Sequence, residues 1–538
     1  MWYSFAMNSK TSALPDDPVE LKKIIAQIRA EKESLRQHYE SENELLREQI
    51  RHLYDKLFGR KSEKHRYAED SPQLPLFDMP EPDPEAKDEE EVEVEKHTRR
   101  KKGRKPLPES LPRVEIVHDI EEHEKVCHCG SQLSRIGEDS AEKLDIIPAV
   151  IQVVRHIRPK YSCKRCENAA ELGSTVKQAP VPVQLLPKAI ASGGLMAHLL
   201  TAKFADALPF YRQEKQFARL GADIPRATMC RWAMKVAESL MPMKNLLRQD
   251  ILSGPLINVD ETTVQVLNEP GREPTSKSYM WVFRGGNPRA PSFYFHYHQS
   301  RAGDVAADFL DGYQGVVQSD GYSGYDFLDK KEGIAHIGCW AHARRKFVAT
   351  QKASGKNSKK SGSADQALKF IKDLYRIEKR AKKQGLSQSQ LYELRQKEAK
   401  PVLDKMHVWL VKKSRHVVPR SLLGIAVNYT LKQWHRLTGY IDADHATPDN
   451  NLAENAIRPF CVGRRNWLFS GTPEGAQASA TIYSLVESAK ANQLDPYKYL
   501  RYLFENLPFA NTLEEYKKLL PSSLTQEQLE SVSKVSLV

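Results

Sequence analysis

Two aspartates that interrupt apolar, strand-like segments constrain this chain more than any other feature. Asp260 lies in the middle of PLINVDETTVQVL, and Asp320 ends the apolar part of GVVQSDGYSGY. A carboxylate in the centre of a buried strand is costly unless a cation or a hydrogen-bond donor compensates it. The pattern therefore predicts two strands whose acids meet at a metal-binding site.

The segments from the first aspartate to the second predict the order strand, strand, strand, helix, strand. SYMWVFRG and SFYFHYHQS suit strands, and AGDVAADFL suits a helix. This order is typical of a ribonuclease-H-like α/β core, in which the middle of the first strand and the end of the fourth are neighbours. We expect Asp260 and Asp320 to meet there. The alternative is that Asp260 caps a turn and Asp320 is a loop residue before Gly321.

A third carboxylate, Glu454, is expected on a helix within HATPDNNLAENAIRPF. Thr447 is a good N-cap, Pro448 suits the first helical position, and Pro459 should end the helix. Glu454 would then lie about two turns into the helix. Its face would carry two amides and a guanidinium able to position phosphate as well as metal, namely Asn450, Asn451 and Arg458. The alternative is a solvated polar face.

Together, Asp260, Asp320 and Glu454 predict a catalytic site for two Mg²⁺ ions. A divalent cation removes the repulsion between neighbouring acids and polarises a phosphate, and oxygen ligands suit Mg²⁺. The basic residues that we expect to contact DNA near these acids are Arg458, Arg464 and Arg465, the last two on a hairpin predicted for VGRRNWLFSG.

Three helices are predicted from Gly193 to Met243, in the order of a helix-turn-helix. Gly221 should stop the second helix, and Pro225 should open the third. In that geometry the third helix would present four residues to a DNA groove: Arg226, Thr228, Met229 and Arg231. The alternative is a plain three-helix packing module.

Four cysteines form two close pairs that predict a structural Zn²⁺ site. The ligands would be Cys127, Cys129, Cys163 and Cys166. Because the first pair has the tight C-x-C spacing, His123 or His128 is an alternative ligand there, and reduced, unliganded cysteines are the other interpretation. The other three cysteines are expected to be buried small apolar residues: Cys230, Cys339 and Cys461.

The N-terminal region predicts self-association followed by a linker. Apolar residues recur at heptad-like spacing from Leu21 to Leu57, which favours a coiled coil and a homo-oligomer over a helix that packs on its own chain. Residues 68–112 are rich in proline and acid before they switch to HTRRKKGRKP, which predicts a disordered linker.

Charge and hydropathy indicate the partner and the compartment. The formal net charge of +12 favours a polyanionic partner, for which DNA is the obvious candidate. No apolar run approaches the roughly 20 residues that span a bilayer, and the first residues do not have the pattern of a signal peptide. We therefore expect a cytoplasmic, nucleoid-associated bacterial protein with no membrane partner.

The fold class expected is multidomain α+β, with a ribonuclease-H-like α/β catalytic core interrupted by a helical insertion. The predicted domains are a coiled coil (18–66), a disordered acidic and basic linker (67–112), a zinc-binding module (113–178), a helix-turn-helix DNA-binding region (179–250), the first part of the core (251–348), the helical insertion (349–440), the second part of the core (441–510) and a C-terminal tail (511–538).

Nine stretches of the chain resemble the large transposase of the insertion sequence 66 family, a branch of the DDE transposases. They are LFGRKSEK, GRKPLPESLPR, KYSCKRCE, ADALPFYRQE, ATMCRWAMKVAE, VDETTVQVL, QSDGYSGYD, GCWAHARRKF and DNNLAENAIRPFCVGRRNWLFSG. The resemblance implies a zipper-like region, a zinc-binding module, a helix-turn-helix that recognises element ends and an interrupted ribonuclease-H-like core. It assigns the acidic triad to Asp260, Asp320 and Glu454, and it implies two small accessory proteins encoded by the same element.

The expected activity is metal-dependent cleavage at insertion-sequence ends and strand transfer to target DNA. One alternative is a nuclease or Holliday-junction resolvase that shares the core but does not join strands. The other is a DNA-binding repressor with an inactive core.

Overall fold

The computed structural model describes residues 151–162, 176–353 and 362–533, together with Lys22, Ala26, Arg29, Lys32, Glu33 and Arg36 near the N-terminus. The predicted coiled coil lies outside the described residues apart from those six. The predicted linker (67–112) and all four predicted zinc ligands also lie outside them. The chain divides into two compact units. The unit Tyr67–Ile157 is described only over 151–157, which are exposed and have no regular secondary structure, and the other unit contains every described helix and strand.

The described helices and strands follow one another in three groups. Before the main sheet come the strands β1 (Lys160–Ser162) and β2 (Val176–Gln178), which pair antiparallel, and the helices α1 (Gly193–Phe204), α2 (Phe210–Arg219), α3 (Arg226–Ser239) and α4 (Met241–Ser253). The main sheet contains β3 (Leu256–Gln265), β4 (Lys277–Asn287), β5 (Ala290–His298), β6 (Gly315–Gln318) and β7 (Ile334–Ile337), with α5 (Gly303–Phe309) between β5 and β6.

The helices of the described chain from α6 to α16 follow the sheet. They are α6 (Trp340–Ala353), α7 (Ser363–Gln384), α8 (Gln388–Leu394), α9 (Lys400–Ser414), α10 (Leu422–Lys432), α11 (Trp434–Thr438), α12 (Asn451–Trp467), α13 (Pro473–Ala491), α14 (Pro496–Asn506), α15 (Leu513–Lys518) and α16 (Gln526–Ser533), with a π-helical turn at Arg395–Ala399 between α8 and α9. Within the described ranges, no helix combines the length and the apolar character needed to cross a membrane.

The main sheet has the strand order β5-β4-β3-β6-β7. β3 pairs antiparallel with β4, and β4 with β5, whereas β3 pairs parallel with β6, and β6 with β7. The order of strands and helix along the chain is the one that the sequence pattern predicts. Asn258 faces Gln318 across β3 and β6, so Asp260 and Asp320 each lie two residues beyond this pair.

Each face of the sheet is covered by helices. On one face, Val259 and Trp281 pack with Phe309 of α5 in a buried cluster. α12 and α13 cover the other face. The edge strand β5 would leave backbone N–H groups unpaired, but Phe293 and Phe295 donate theirs to the hydroxyls of Ser488 and Ser484 on α13, at 2.9 and 2.8 Å. The edge is therefore closed by hydrogen bonds to a helix.

The helices α6 to α11 form a second hydrophobic core together with β7, the last strand of the sheet. Trp340, Phe347, Ile371, Leu403 and Leu437 are among its buried residues. The core includes Ile337 of β7, so this helical region packs directly on the last strand. The charged segment is largely helical over its described residues from Ser363 to Thr438, and it lies between α6 and α12. That it is an insertion in the catalytic core stays a prediction.

The region after Glu454 differs from its prediction. α12 does not end at Pro459 but continues to Trp467, so the hairpin predicted for VGRRNWLFSG is wrong. Its N-cap is Asn450 rather than Thr447, which places Glu454 in the first turn. A proline inside a helix removes one hydrogen bond. The helix persists because Phe460 and other residues of its inner face are buried against the sheet.

The three helices predicted before the sheet correspond to α1, α2 and α3, whereas α4 is a further helix that was not predicted. Gly221 adopts a left-handed conformation after α2, and Pro225 caps α3. The prediction that Met229 faces DNA is wrong, because its side chain is 1% exposed and packs in the core. Cys230 is exposed, contrary to prediction, whereas Cys339 and Cys461 are buried as predicted.

Candidate active site

Asp260 and Asp320 reach the site from neighbouring strands. Asp260 lies in the middle of β3, and Asp320 follows β6 by two residues. A carboxylate oxygen of Asp260 accepts the backbone N–H of Glu261 at 2.9 Å, and one of Asp320 accepts that of Tyr322 at 2.9 Å. The turn after Asp320 needs a glycine, because a Cβ on Gly321 would lie 2.5 Å from the Tyr429 hydroxyl oxygen.

The charge of Asp260 is not compensated by a neighbouring cation. Burial raises the pKa of the Asp260 carboxyl well above its usual value, and the charges of Glu261, Asp320 and Glu454 raise this pKa further. Within the described chain, the charged neighbours that affect the pKa of Asp260 are all acids. Buried acids that repel one another form a site that a divalent cation stabilises, and their oxygens are the ligands that Mg²⁺ prefers. Oxygen donors suit such an ion, but neither Asp260 nor Asp320 belongs to the group of three residues in the described chain whose ligand atoms lie within 4.8 Å of one another.

Glu454 approaches from α12 with its charge already compensated. Arg345 Nη2 donates to both carboxylate oxygens of Glu454, at 2.8 and 2.9 Å, and His342 Nε2 lies 3.0 Å from one of them. Burial acts to raise the pKa of Glu454, but the hydrogen bond to His342 and the charge of Arg345 bring this pKa below its usual value. Both partners come from α6, the helix that follows β7.

The same region contains a second arrangement of metal-ligand atoms. Cys339, His342 and Glu454 each offer one possible ligand atom, and these three atoms lie within 4.8 Å of one another. In the described chain, this is the group of three residues whose ligand atoms are close enough to hold one metal ion. Arg345 occupies both oxygens of Glu454, and the thiol of Cys339 accepts the backbone N–H of Asn450 at 3.2 Å. These contacts leave Glu454 tied to α6.

Three buried amides join the strands to the start of α12. Asn258 Nδ2 donates to Gln318 Oε1 and to Asn450 Oδ1, both at 3.0 Å. Asn450 in turn donates to the carbonyl of Val259 at 2.8 Å. Asn450, predicted to face phosphate, is 1% exposed and is a structural link instead.

The basic residues predicted to contact DNA near the acids have different surroundings. Arg458 is exposed on α12, and Arg465 is exposed near its end. Arg464 is half-buried, and its guanidinium contacts β3, where it donates to the hydroxyls of Thr262 and Thr263 at 3.1 and 3.0 Å. Arg464 therefore holds α12 against the sheet.

The predicted recognition residues lie on the first two turns of α3. Arg226 and Arg231 are exposed and Thr228 is half-buried. Arg231 Nη2 donates to the Thr228 hydroxyl at 3.2 Å, and the backbone N–H of Arg226 donates to Glu214 of α2 at 2.8 Å. This surface is basic and accessible.

Three residues next to the triad were not predicted from the sequence: Glu261, His342 and Arg345. Glu261 lies in the buried VDETTV segment, where the alternation of a strand places it on the opposite face from Asp260. That alternation could have identified Glu261 as an acid that needs a partner. His342 and Arg345 lie three residues apart on α6, which places both on one helix face.

Four family models match successive parts of the chain. The model described as "Transposase IS66 family" matches residues 188–478, which is more than half of the chain and includes all three predicted acids. The "zinc-finger binding domain of transposase IS66" matches 124–167 and spans the four predicted zinc ligands. "Transposase C of IS166 homeodomain", a leucine-zipper model, matches 45–116, and the "IS66 C-terminal element" matches 484–522.

Curated relatives extend over most of the chain. The uncharacterized protein y4jD of Sinorhizobium fredii is 33% identical over 437 residues, which are 79% of this chain and 82% of the relative. The uncharacterized protein y4hP of the same organism is 29% identical over 421 residues, 75% of this chain and 74% of the relative.

Proposed function

The chain belongs to the insertion sequence 66 (IS66) family of transposases, and from this premise we propose that it cuts DNA at insertion-sequence ends and joins the freed ends to target DNA. The observation that carries the proposal is the half-buried pair of Asp260 on β3 and Asp320 just after the neighbouring β6, with Glu454 close enough to raise the pKa of Asp260. Such a set of acids suits phosphodiester chemistry assisted by divalent cations.

The sheet supports a ribonuclease-H-like core for this chemistry. Three antiparallel strands, a helix and a parallel fourth strand agree with that core, with Asp260 in the middle of β3 and Asp320 two residues after β6. In this proposal the helices α6 to α11 are an insertion between the strands and the helix that carries Glu454. The predicted domain boundaries remain part of the proposal.

We assign metal binding to Asp260, Asp320 and Glu454, and the expected cofactor is a pair of Mg²⁺ ions. When bound, these ions activate water for cleavage, align the 3′-hydroxyl for joining and stabilise the phosphate oxygens. The chain itself orients the acids: the amides of Asn258 and Asn450 fix β3 against α12.

The cations around the acids would bind the DNA backbone. Arg345 is 27% exposed beside Glu454, and Arg458 is exposed on the same helix as Glu454. Guanidinium groups bind phosphate oxygens with directed hydrogen bonds. Arg465 extends this basic surface along α12.

We assign recognition of the element ends to the surface of α3. We assign zinc binding and oligomerisation to the N-terminal segments. Arg226, Thr228 and Arg231 would contact a groove of the terminal repeats. The matched zinc-finger segment supports a structural Zn²⁺ held by the paired cysteines, Cys127, Cys129, Cys163 and Cys166. The leucine-zipper match supports a homo-oligomer, and two small accessory proteins of the same element would complete a nucleoid-associated assembly.

The test is cleavage and joining of labelled DNA that carries the element ends, with Mg²⁺, comparing the wild type with Glu454→Gln. We expect the wild type to cut and join and the variant to bind the ends without cutting. Cutting without joining would favour a nuclease or resolvase. Binding without cutting by both proteins, even with the accessory proteins added, would favour a repressor.

A further inference from the structure

A fourth carboxylate, Glu261, lies beside the triad on the opposite face of β3. Its side chain is 4% exposed, yet both of its oxygens have partners. Arg301 donates to one oxygen through Nε at 2.7 Å and lies 2.6 Å from it through Nη2, and the Tyr325 hydroxyl donates to the other. Because successive residues of a strand point to opposite faces, Glu261 is directed away from Asp260, and we do not assign it as a metal ligand.

Arg301 connects this buried acid to the turn that holds Asp320. Its guanidinium carbon lies 3.7 Å from the centre of the Tyr322 ring, in a stacked cation–π contact. The Tyr322 hydroxyl donates to the Arg301 carbonyl at 3.2 Å, and the Tyr322 backbone N–H donates to Asp320 at 2.9 Å. A continuous chain of contacts therefore runs from Glu261 to the Asp320 carboxylate.

We propose that Glu261, Arg301 and Tyr322 form a clamp that sets the position of the Asp320 carboxylate, and that Glu261 is a positioning residue for metal binding. This inference rests on the proposed function, because it assumes that Asp320 is a metal ligand. The clamp fixes the residue that follows β6 by two positions, where backbone pairing with β3 and β7 no longer holds the chain.

The charges of the clamp explain why an arginine is needed. Arg301 is half-buried, with 18% of its side chain exposed, and its guanidinium pairs with the buried carboxylate of Glu261. The same guanidinium lies over the ring of Tyr322, whose backbone N–H donates to Asp320. One cation thus compensates the positioning acid and contacts the residue that holds the Asp320 carboxylate.

The chain offers a matched control, the buried Glu269. It is 5% exposed, its carboxylate accepts from Arg272 at 2.7 Å and from the Ser278 hydroxyl at 2.6 Å, and the Tyr297 hydroxyl also donates to it. This cluster has the same chemistry as the clamp, but Glu269 follows the end of β3 and its partner Ser278 pairs with Val264, four residues along the strand from Asp260. Glu269→Gln should therefore cost stability without changing metal affinity.

The experiment measures Mn²⁺ binding to the full, zinc-loaded chain by calorimetry, without DNA. We expect Glu261→Gln to weaken Mn²⁺ binding roughly tenfold while the number of bound ions stays that of the wild type. Tyr322→Ala, at a half-buried position, should weaken Mn²⁺ binding to the same extent. The double variant Glu261→Gln, Tyr322→Ala should bind Mn²⁺ as tightly as the single variant with the lower affinity, because both changes break the same chain of contacts. Glu269→Gln should bind Mn²⁺ like the wild type.

Two results would overturn the clamp. If Glu261→Gln lowers the number of bound ions, Glu261 is a ligand. If neither Glu261→Gln nor Tyr322→Ala changes Mn²⁺ affinity, the contacts have only a structural role. Asp260→Ala separates this proposal from the one it rests on: if that variant binds Mn²⁺ as the wild type does, the assigned metal site itself is wrong.

Discussion

The acids of the candidate site come from two regions with opposite electrostatics. In the sheet region, Asp260 is half-buried among other acids, and its pKa is raised. In the helical region of the site, formed by α6 and α12, Glu454 has Arg345 and His342 as partners, and the pKa of Glu454 is lowered. The charge of Asp260 has no compensating cation among its neighbours in the described chain, whereas Arg345 compensates the charge of Glu454.

For the proposed metal site, this difference predicts that the sheet half gains stability from a bound cation and that the helical half does not need one. Repulsion between buried acids works against folding of the sheet region, whereas the contacts of Glu454 with α6 favour the position of α12. In the sheet region, backbone pairing of β3 with β4 holds Asp260, and this pairing does not depend on the charge of the acid. The helical region holds its acid through that charge.

The largest expected effect is a pair of opposite stability changes in buffer without Mg²⁺. Asp260→Asn removes a buried, repelled charge and should raise the free energy of unfolding by about 2 kcal/mol. Glu454→Gln leaves Arg345 without its anionic partner and should lower it by about 2 kcal/mol, a value reduced because Arg345 is 27% exposed. Thermal unfolding midpoints measure both changes.

Addition of Mg²⁺ sharpens the same contrast. It should raise the midpoint of the wild type by ligand binding and raise that of Asp260→Asn much less. Equal destabilisation by the two substitutions would contradict the comparison, since Asp260 would then make a native contact as favourable as that of Glu454.

The next largest stability change is expected on substitution of Lys244 of α4, a second uncompensated charge in the sheet region. Its side chain is fully buried, its ammonium group lies 4.8 Å from the centre of the Tyr294 ring, and the ammonium has no hydrogen-bond partner within the described chain. Burial lowers the pKa of Lys244 from 10.5 to about 7. Lys244→Met should therefore stabilise the protein by about 2 kcal/mol at pH 7.

The sign of the pH dependence follows from the lowered pKa. Between about pH 7 and 10.5 the unfolded chain binds a proton at Lys244 that the folded chain does not, so this lysine makes stability rise with pH across that range. His296 beside it stays neutral there, because burial and the charge of Lys244 lower its pKa to about 4. The stability difference between Lys244→Met and the wild type should thus shrink as the pH rises, and a difference that stays constant up to pH 10 would sink this account.

The sheet region was largely predictable from the sequence, because its signal is local. Alternating apolar residues indicated the strands, and two acids in such segments indicated a shared site. The parallel pairing of β3 with β6 brings Asp260 and Asp320 together as that pattern predicts. Their roles as metal ligands stay predictions.

The helical region was less predictable, because its contacts join distant parts of the chain. Pro459 suggested a helix end, but burial of the inner face of α12 outweighs one lost hydrogen bond. Arg345 lies 109 residues from Glu454 in the sequence, and Arg301 lies 40 from Glu261, so no local pattern links them. The contacts of Arg464 with β3 are equally remote in sequence, so its pattern alone suggested an exposed residue.

The smallest of the three effects tests the link between the regions. Asn450→Ala removes the amide that accepts from Asn258 and donates to Val259, and it should cost about 1.5 kcal/mol of stability, because both partners stay buried. Asn451→Ala is the control: its backbone N–H, which the substitution retains, donates to Asp449, and its half-buried side chain should contribute less than about 0.5 kcal/mol.

The Asn450 link also predicts coupling between the two regions. If Asn450 couples the two regions, the stability change of the double variant Asp260→Asn, Glu454→Gln should differ from the sum of the single changes. In an Asn450→Ala background the two changes should add, because the link between α12 and β3 is then lost. A combined change equal to the sum in both backgrounds would mean that the sheet holds α12 by other contacts, with the Arg464 contacts to β3 the first to examine.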